Sequence, residues 1–278
     1  MPDSDRVRDR GQTDRAPTDR VQAERVQAER VPTDRVPTDR VPTDRAPTDR
    51  VPAERKRRRP TSSGVVLSAD LIVDTACRLI DAHGAQAFTV RKLGAALGAD
   101  PSAVYRYFRN TEDLLLALAD RLIGESMTGF TPSGDWAADL RDFGLRAYRS
   151  ALRHPQIAVF STLRVTGRPH EQRAVDTGIG LLLQAGFDEA SAVRHYHALV
   201  DTVLGHAALD AGVLLLAPAQ RAADERAWHA AYGTLPVDEV PSLHRVRDHL
   251  PLMAGSAVEP ALDLLLKALR HEAPNSTS

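Results

Sequence analysis

The sequence predicts an all-α protein: a three-helix N-terminal head, a larger helical body and, ahead of both, a disordered repeat tail. Three observations carry this. From Ser68 onward apolar residues recur three and four apart, the helical period. No stretch alternates apolar and polar long enough to specify a strand. The first 54 residues contain no Leu, Ile, Phe, Tyr or Trp, so burial there cannot offset the entropy of ordering. The expected division is 1–63 for the tail and a basic arm, 64–112 for the head and 113–278 for the body.

The tail is a run of pentads from Arg6 to Arg55, each ending in Asp-Arg or Glu-Arg, with VPTDR the commonest form. Proline in most of them forbids a continuous helix, and alternating acid and base leaves each repeat nearly neutral. An extended, solvated polyampholyte with polyproline II character is expected.

The formal net charge of −1 hides an uneven distribution. Lys and Arg number 11 against 12 Asp and Glu in residues 1–54, 10 against 5 in 55–112, and 15 against 20 in 113–278. A basic head on an acidic body suits a protein whose head meets a polyanion. The single cysteine, Cys77, excludes an intrachain disulfide and a Cys-rich metal site, and its helical spacing among apolar residues reads as a buried thiol. No apolar run approaches ~18 residues and no secretory signal is apparent, so the expected compartment is cytoplasmic.

The head is built in order. Leu71, Ile72, Thr75, Ala76, Leu79 and Ile80 form one stripe, with Ser68 as N-cap and Gly84 as the stop. A second helix spans 89–97, capped by Thr89, with Leu93 and Leu97 facing inward and Gly98 ending it. A third spans 101–108, with Asp100 as N-cap and Pro101 in the first turn, where its missing amide costs nothing. A fourth begins at Asn110 or Thr111 and runs through Leu114, Leu115 and Leu118 to about Gly124.

Only Gly98, Ala99 and Asp100 separate helices two and three, which is the helix-turn-helix arrangement. The third helix turns Val104 and Phe108 inward and offers Ser102, Tyr105, Arg106 and Tyr107 outward. A helix entering the major groove of DNA needs this division. Arg91 stands near the start of helix two, and Thr89 adds a hydroxyl at a helix N-terminus, where phosphate is favoured. The alternative is that Tyr105 and Tyr107 simply plug the helical core. Just before the head, Arg55, Lys56, Arg57, Arg58 and Arg59 form a cationic arm able to reach phosphates or a minor groove.

The motifs Thr89-Val90-Arg91, Leu97-Gly98, Val104-Tyr105-Arg106-Tyr107-Phe108 and Asn110-Thr111-Glu112-Asp113-Leu114-Leu115 together resemble the DNA-binding head of the tetracycline-repressor (TetR) family. The resemblance covers roughly residues 68–123. It implies a homodimer whose two heads read successive major grooves of a palindromic operator, and a fourth helix that links effector occupancy to head spacing. By matching position, the DNA contacts would fall on Thr89, Arg91, Ser102, Tyr105, Arg106, Tyr107 and Thr111. Many relatives carry Lys where this chain has Thr111, and the arm at Arg57, Arg58 and Arg59 offers compensating charge.

The body resembles the same family more diffusely, in Arg149 through Pro155, in Gly167-Arg168-Pro169 and in Leu181 through Phe187. The drug-repressor subclass carries a metal-chelating His just before the Arg-Pro pair. Here Arg164 and Val165 stand in that neighbourhood, so a magnesium-bound tetracycline is not the expected effector. His195 and His197 lie two apart on a predicted helix 188–211 and point away from each other, a poor metal pair; His206 shares that helix. No catalytic motif assembles, and no cofactor or metal is expected.

The helix at 188–211, with Val193, Leu199, Val200, Val203 and Leu204, and the helix at 257–270, with Val258, Leu262, Leu265, Leu266 and Leu269, are the candidates for a dimer interface. The same stripes would also serve as ordinary monomer core. A small-molecule pocket is expected among the helices at 137–185, lined by Phe143, Tyr148, Phe160 and Leu163. The partners expected are therefore operator DNA, a second copy and a small-molecule effector, with no membrane. Two readings from other classes stay open. One is a helical small-molecule-binding protein or enzyme with a vestigial helix-turn-helix; the other is a scaffold that recruits a partner through its tail.

Overall fold

The structure, a computed structural model, describes residues 66–230, 232 and 235–274. The repeat tail and the cationic arm, including Arg57, Arg58 and Arg59, lie outside the described residues. Ten α-helices and three 3-10 segments make up the described chain, with no strand among the described residues.

Local chemistry sets each element of the head. Helix α1 (Ala69–His83) starts where the Leu71 amide donates to the Ser68 hydroxyl at 3.1 Å and stops at Gly84, whose φ of 82° leaves the helical region. Its buried face is Ile72, Val73, Thr75, Ala76, Cys77 and Ile80. Helix α2 (Val90–Leu97) is capped by Thr89, which accepts from the Lys92 amide at 3.2 Å, and ends at left-handed Gly98. The third helix differs from expectation. It is a 3-10 helix, Pro101–Arg106, opened by Asp100 accepting from the Ser102 amide, and Tyr107 and Phe108 close it. Six residues hold too few bonds for the α ladder to outcompete the tighter one, especially with Pro101 at the start. Helix α3 (Thr111–Ser126) follows Asn110, whose side chain accepts from the Asp113 amide at 2.8 Å.

Close approach of α2 to the 3-10 helix depends on Gly94. A methyl group there would meet the Ala99 carbonyl oxygen at 2.9 Å and the Pro101 backbone at 3.1 Å, and both are backbone atoms that cannot swing away. The head core then closes over Ile72, Ile80, Leu93, Val104, Leu114 and Leu118, all at most 1% exposed. It also takes in Ile157 from the body. Burial pushes the Cys77 thiol up to about 12, with the carboxylates of Asp81 and Glu125 adding to it, so it is an inert structural thiol.

The body is formed by α4 (Trp136–Arg153), α5 (Pro155–Ser161), α6 (Pro169–Gln184), α7 (Glu189–Leu214) and α10 (Val258–Glu272). Its main core joins Leu140, Phe143 and Leu145 of α4, Leu181 and Leu182 of α6, Leu199 and Val203 of α7, and Val258, Leu262, Leu266 and Leu269 of α10. A smaller all-alanine cluster, Ala151, Ala158, Ala207 and Ala211, lets α4, α5 and α7 pack closely. Between α7 and α10 come α8 (Pro218–Ala230), α9 (Pro241–Val246) and a 3-10 segment (Arg247–Ala254) that α8 packs against. No single helix among the described residues is long and apolar enough to cross a membrane.

The stripes offered for dimerisation need correcting at residue level. Leu199 and Val203 of α7, and Val258, Leu262, Leu266 and Leu269 of α10, are consumed by the core of one chain. Each of these helices is apolar on more than one face. The outward apolar residues are Val193, Leu209, Val213 and Leu214 on α7 and Leu264 on α10, with Leu209 and Leu264 each 70% exposed.

Replacing Gly94 with Ala is expected to pry α2 from the 3-10 helix and lower stability by about 1–3 kcal/mol. Gly180, in α6 with open space where a methyl would go, is the control. Gly180→Ala is expected to raise stability by about 0.5–1 kcal/mol. Chemical denaturation of both variants checks the pair, and equal effects would refute the close-approach account.

Candidate nucleic-acid interface and its connection to the body

The head presents one polar surface. Tyr105 is 47% exposed, and Ser102, Arg106, Arg91, Thr89 and Thr111 are exposed around it. Val104 and Phe108 on the opposite side of the same segment are buried at 1% and 3%. Among the described residues neither Arg91 nor Arg106 has a carboxylate partner within ion-pair distance. Two exposed guanidinium groups without a carboxylate partner and an exposed phenol suit base edges and phosphates.

Tyr107 takes a different place. It is half-buried against the head core, and its hydroxyl donates to the Leu67 carbonyl at 2.6 Å, pinning the segment that leads into α1. Thr89 and Thr111 stand at the N-termini of α2 and α3, where unsatisfied amides favour an anion.

Behind this surface α3 is bound to the body by two carboxylates. Asp113 accepts from the Arg109 amide at 2.9 Å and from the Arg168 guanidinium at 2.6 Å; the same guanidinium donates to the Asp113 backbone carbonyl at 2.9 Å. The Arg109 amide is the largest cause holding the Asp113 carboxyl below the usual carboxylate range. Partial burial opposes it, and the cations Arg109 and Arg168 reinforce it. Asp120, 6% exposed, accepts from the Glu171 amide at 2.9 Å and from His170 Nδ1 at 2.8 Å. Helix α6 has no capping side chain of its own, so a residue of α3 caps it across the interface. His154, at the α4–α5 junction, adds contacts to Asp81 of α1 at 2.7 Å and Glu125 of α3 at 3.4 Å.

A cavity of about 540 Å³ lies against the same elements. Its wall comes from α3 (Leu122, Ile123), α4 (Phe143, Ala147), the loop after α5 (Leu163, Val165), α6 (Ala174, Val175) and α7 (Tyr196, Val200, Leu204). Of the four residues expected to line a pocket, Phe143 and Leu163 do so. Phe160 lines a smaller neighbouring cavity of about 220 Å³. Tyr148 is not on the wall; its hydroxyl bonds Asp210 at 2.7 Å and Ser256 at 3.1 Å. The contributions of α3 and α7 were missed because both stripes read equally well as core. The three histidines on α7 are each engaged: His195 with Glu272, His197 with Asp201, and His206 with the Thr202 carbonyl.

Comparison with known proteins agrees with this architecture. A family model described as bacterial regulatory proteins of the tetR family matches residues 72–118, and one described as the tetracyclin-repressor-like C-terminal domain matches 128–260. The tetracycline repressor protein class A from transposon 1721 of Escherichia coli is 32% identical over 136 residues, 46% of this chain and 60% of that protein. An HTH-type transcriptional regulator of Saccharopolyspora erythraea is 26% identical over 140 residues, 50% of this chain and 59% of that protein. The chain thus spans about three fifths of the length of these curated relatives. A structural-genomics crystal structure from Streptomyces coelicolor A3(2) superposes with a TM-score of 0.62 at 29% identity, covering 75% of this chain and 99% of that one. ActR of Streptomyces coelicolor in complex with actinorhodin gives 0.65 at 22% identity over 75% of this chain and 99% of that one, a likeness of fold.

Asp113 makes a pH prediction. Because folding lowers its pKa from the ordinary 3.8, its stabilising contribution is complete above that value and drains away as pH falls below it. Asp113→Asn is expected to cost about 1–3 kcal/mol near neutrality. The gap to the native protein in thermal melts should close toward pH 3, and a constant gap would rule out the carboxylate as its source.

Proposed function

This chain belongs to the tetracycline-repressor (TetR) family of bacterial regulatory proteins, and we propose that it is a homodimeric repressor released from a palindromic operator when a small molecule enters the body cavity. One observation carries the reading: the 3-10 helix Pro101–Arg106 buries Val104 and turns Tyr105 and Arg106 outward, with no carboxylate among the described residues within ion-pair distance of Arg106. Such a helix has its inner half anchored and its outer half free to meet base edges. Ser102 and Arg91 flank it for phosphate contact, and Thr89 and Thr111 stand at two helix starts. Tyr107 supports the helix from beneath, and the arm at Arg57, Arg58 and Arg59 supplies sequence-independent attraction. The protein works by binding rather than by turnover, in the cytoplasm beside its DNA.

The outward residues Val193, Leu209 and Val213 of α7 and Leu264 of α10 support dimerisation through these helices, because a second copy would bury them in a four-helix bundle. Leu163 and Val165, each 83% exposed at the cavity edge, mark the loop an effector would meet first. That loop runs into α6, whose start is held by Asp113 and Asp120 of α3, and α3 runs straight back to the reading helix. An effector that prefers a shifted α6 would therefore change head spacing, with a coupling of about 1–3 kcal/mol. ActR, crystallised with actinorhodin, is a relative in fold that holds a small molecule.

The test is a gel shift with DNA from upstream of the protein's own gene. The native dimer is expected to retard it, and Tyr105→Ala with Arg106→Ala is expected to lose about a hundredfold in affinity, at about 1–3 kcal/mol per base contact. Dimer mass and melting temperature should stay unchanged. Undiminished affinity in the double variant would overturn the assignment of the reading helix.

A further inference from the structure

We propose that the effector is a largely apolar molecule without a negative charge, carrying a hydrogen-bond acceptor such as a ring ketone, and that Tyr196 donates to that acceptor. This rests on the reading of the 540 Å³ cavity as the effector site.

The argument is one of accounting for polar groups. The wall is mainly aliphatic and aromatic, with Leu122, Ile123, Phe143, Val175, Val200 and Leu204. The one arginine on it is already paired within the chain, and the wall's carboxylates have internal partners, Glu171 through neutral donors alone. Arg164 pairs with Glu112. Glu171 accepts from the Thr166 amide at 3.1 Å, the Thr166 hydroxyl at 3.1 Å and the Gly167 amide at 2.6 Å. His197 faces Asp201 at 3.2 Å. Most wall hydroxyls are spent as well: Ser126 donates to the Ile123 carbonyl at 2.7 Å, Ser150 to Leu122 at 2.9 Å and Thr162 to Ala158 at 3.0 Å. An anionic ligand would leave water and find no unpaired cation on the wall, a cost that desolvation makes large.

Among the described residues, two hydroxyls on the wall are without an internal hydrogen bond: the Ser161 hydroxyl at the end of α5, and the Tyr196 phenol. Tyr196 is the better-fixed donor. Its ring lies directly against the α-carbon of Gly178, where no side chain would fit, and it is tilted on Phe143 with centroids 6.3 Å apart. Burial, with the nearby Glu171 charge adding to it, pushes its phenol up to about 12, so the proton stays in place across the physiological range. A rigid, protonated phenol in an apolar cavity is a donor awaiting an acceptor, and an unmet acceptor demand is what discriminates such sites.

The test uses three rigid probes of one shape: 9-fluorenone, which has the acceptor; fluorene, which lacks it; and 9-fluorenone-4-carboxylate, which adds a charge. Binding to the full-length dimer is followed by calorimetry, with Tyr196→Phe and the cavity-filling Val200→Trp as variants and melting curves to show that both fold. Fluorenone is expected to bind at least about tenfold more tightly than its carboxylate. Tyr196→Phe should weaken fluorenone about five- to tenfold and leave fluorene unchanged. A carboxylate that binds as well as or better than fluorenone overturns the proposal, as does a Tyr196→Phe variant that weakens fluorenone no more than fluorene, provided Val200→Trp still blocks binding. Binding that survives Val200→Trp, or no binding by any probe, instead removes the cavity as the effector site and the proposal with it.

Discussion

Two carboxylates on a single helix, Asp113 and Asp120, hold the molecule in one frame. They lie two turns apart on α3, so they face the same way, and both are answered by the start of α6 and the loop before it. Asp120 is nearly inaccessible to water, and three donors from α6 converge on it: the Glu171 amide, His170 Nδ1 and the His170 amide. Removing either side would strand a buried charge or uncap a helix, which is costlier than losing a surface pair. The helix that bears these groups also supplies Leu114, Leu118 and Leu122 to the head core, and Ile123 of the same helix packs against the body core. Head and body therefore share a structural member, and no motion at the start of α6 leaves α3 indifferent.

What the sequence disclosed was local. Ser68, Thr89, Asp100 and Asn110 cap the helices they precede because a short polar side chain reaches an amide two or three residues on, an interaction contained in four consecutive residues. The inward positions Leu93, Val104 and Phe108 follow from helical spacing alone. The 3-10 character of 101–106 was not visible, since over six residues three-residue and four-residue ladders place nearly the same side chains inward.

Long-range commitments were also hidden. Nothing near Tyr107 says that its hydroxyl is used by Leu67, forty residues away. Nothing near Tyr148 says that Asp210 and Ser256 converge on it, so its aromatic character pointed to a pocket it does not line. The leucines of α7 and α10 showed apolar stripes without saying which neighbour each stripe meets; one core absorbed most of them and left Leu209 and Leu264 outside. The proline-led helices α8 and α9 are not among the elements expected from the sequence, because their polar composition carries little helical signal.

The bond from Tyr107 to the Leu67 carbonyl has a consequence for the basic residues upstream. It fixes a point on the main chain beside the 3-10 helix Pro101–Arg106, and everything N-terminal to it is leashed there. Eight peptide units separate Leu67 from Arg59, and a chain stretched to its limit gains at most about 3.6 Å per unit, or roughly 29 Å. One turn of duplex is about 34 Å. The leash is thus shorter than a helical repeat, and in the proposed complex the main chain of the last of the five cations would stay within about one turn of double helix of its own head.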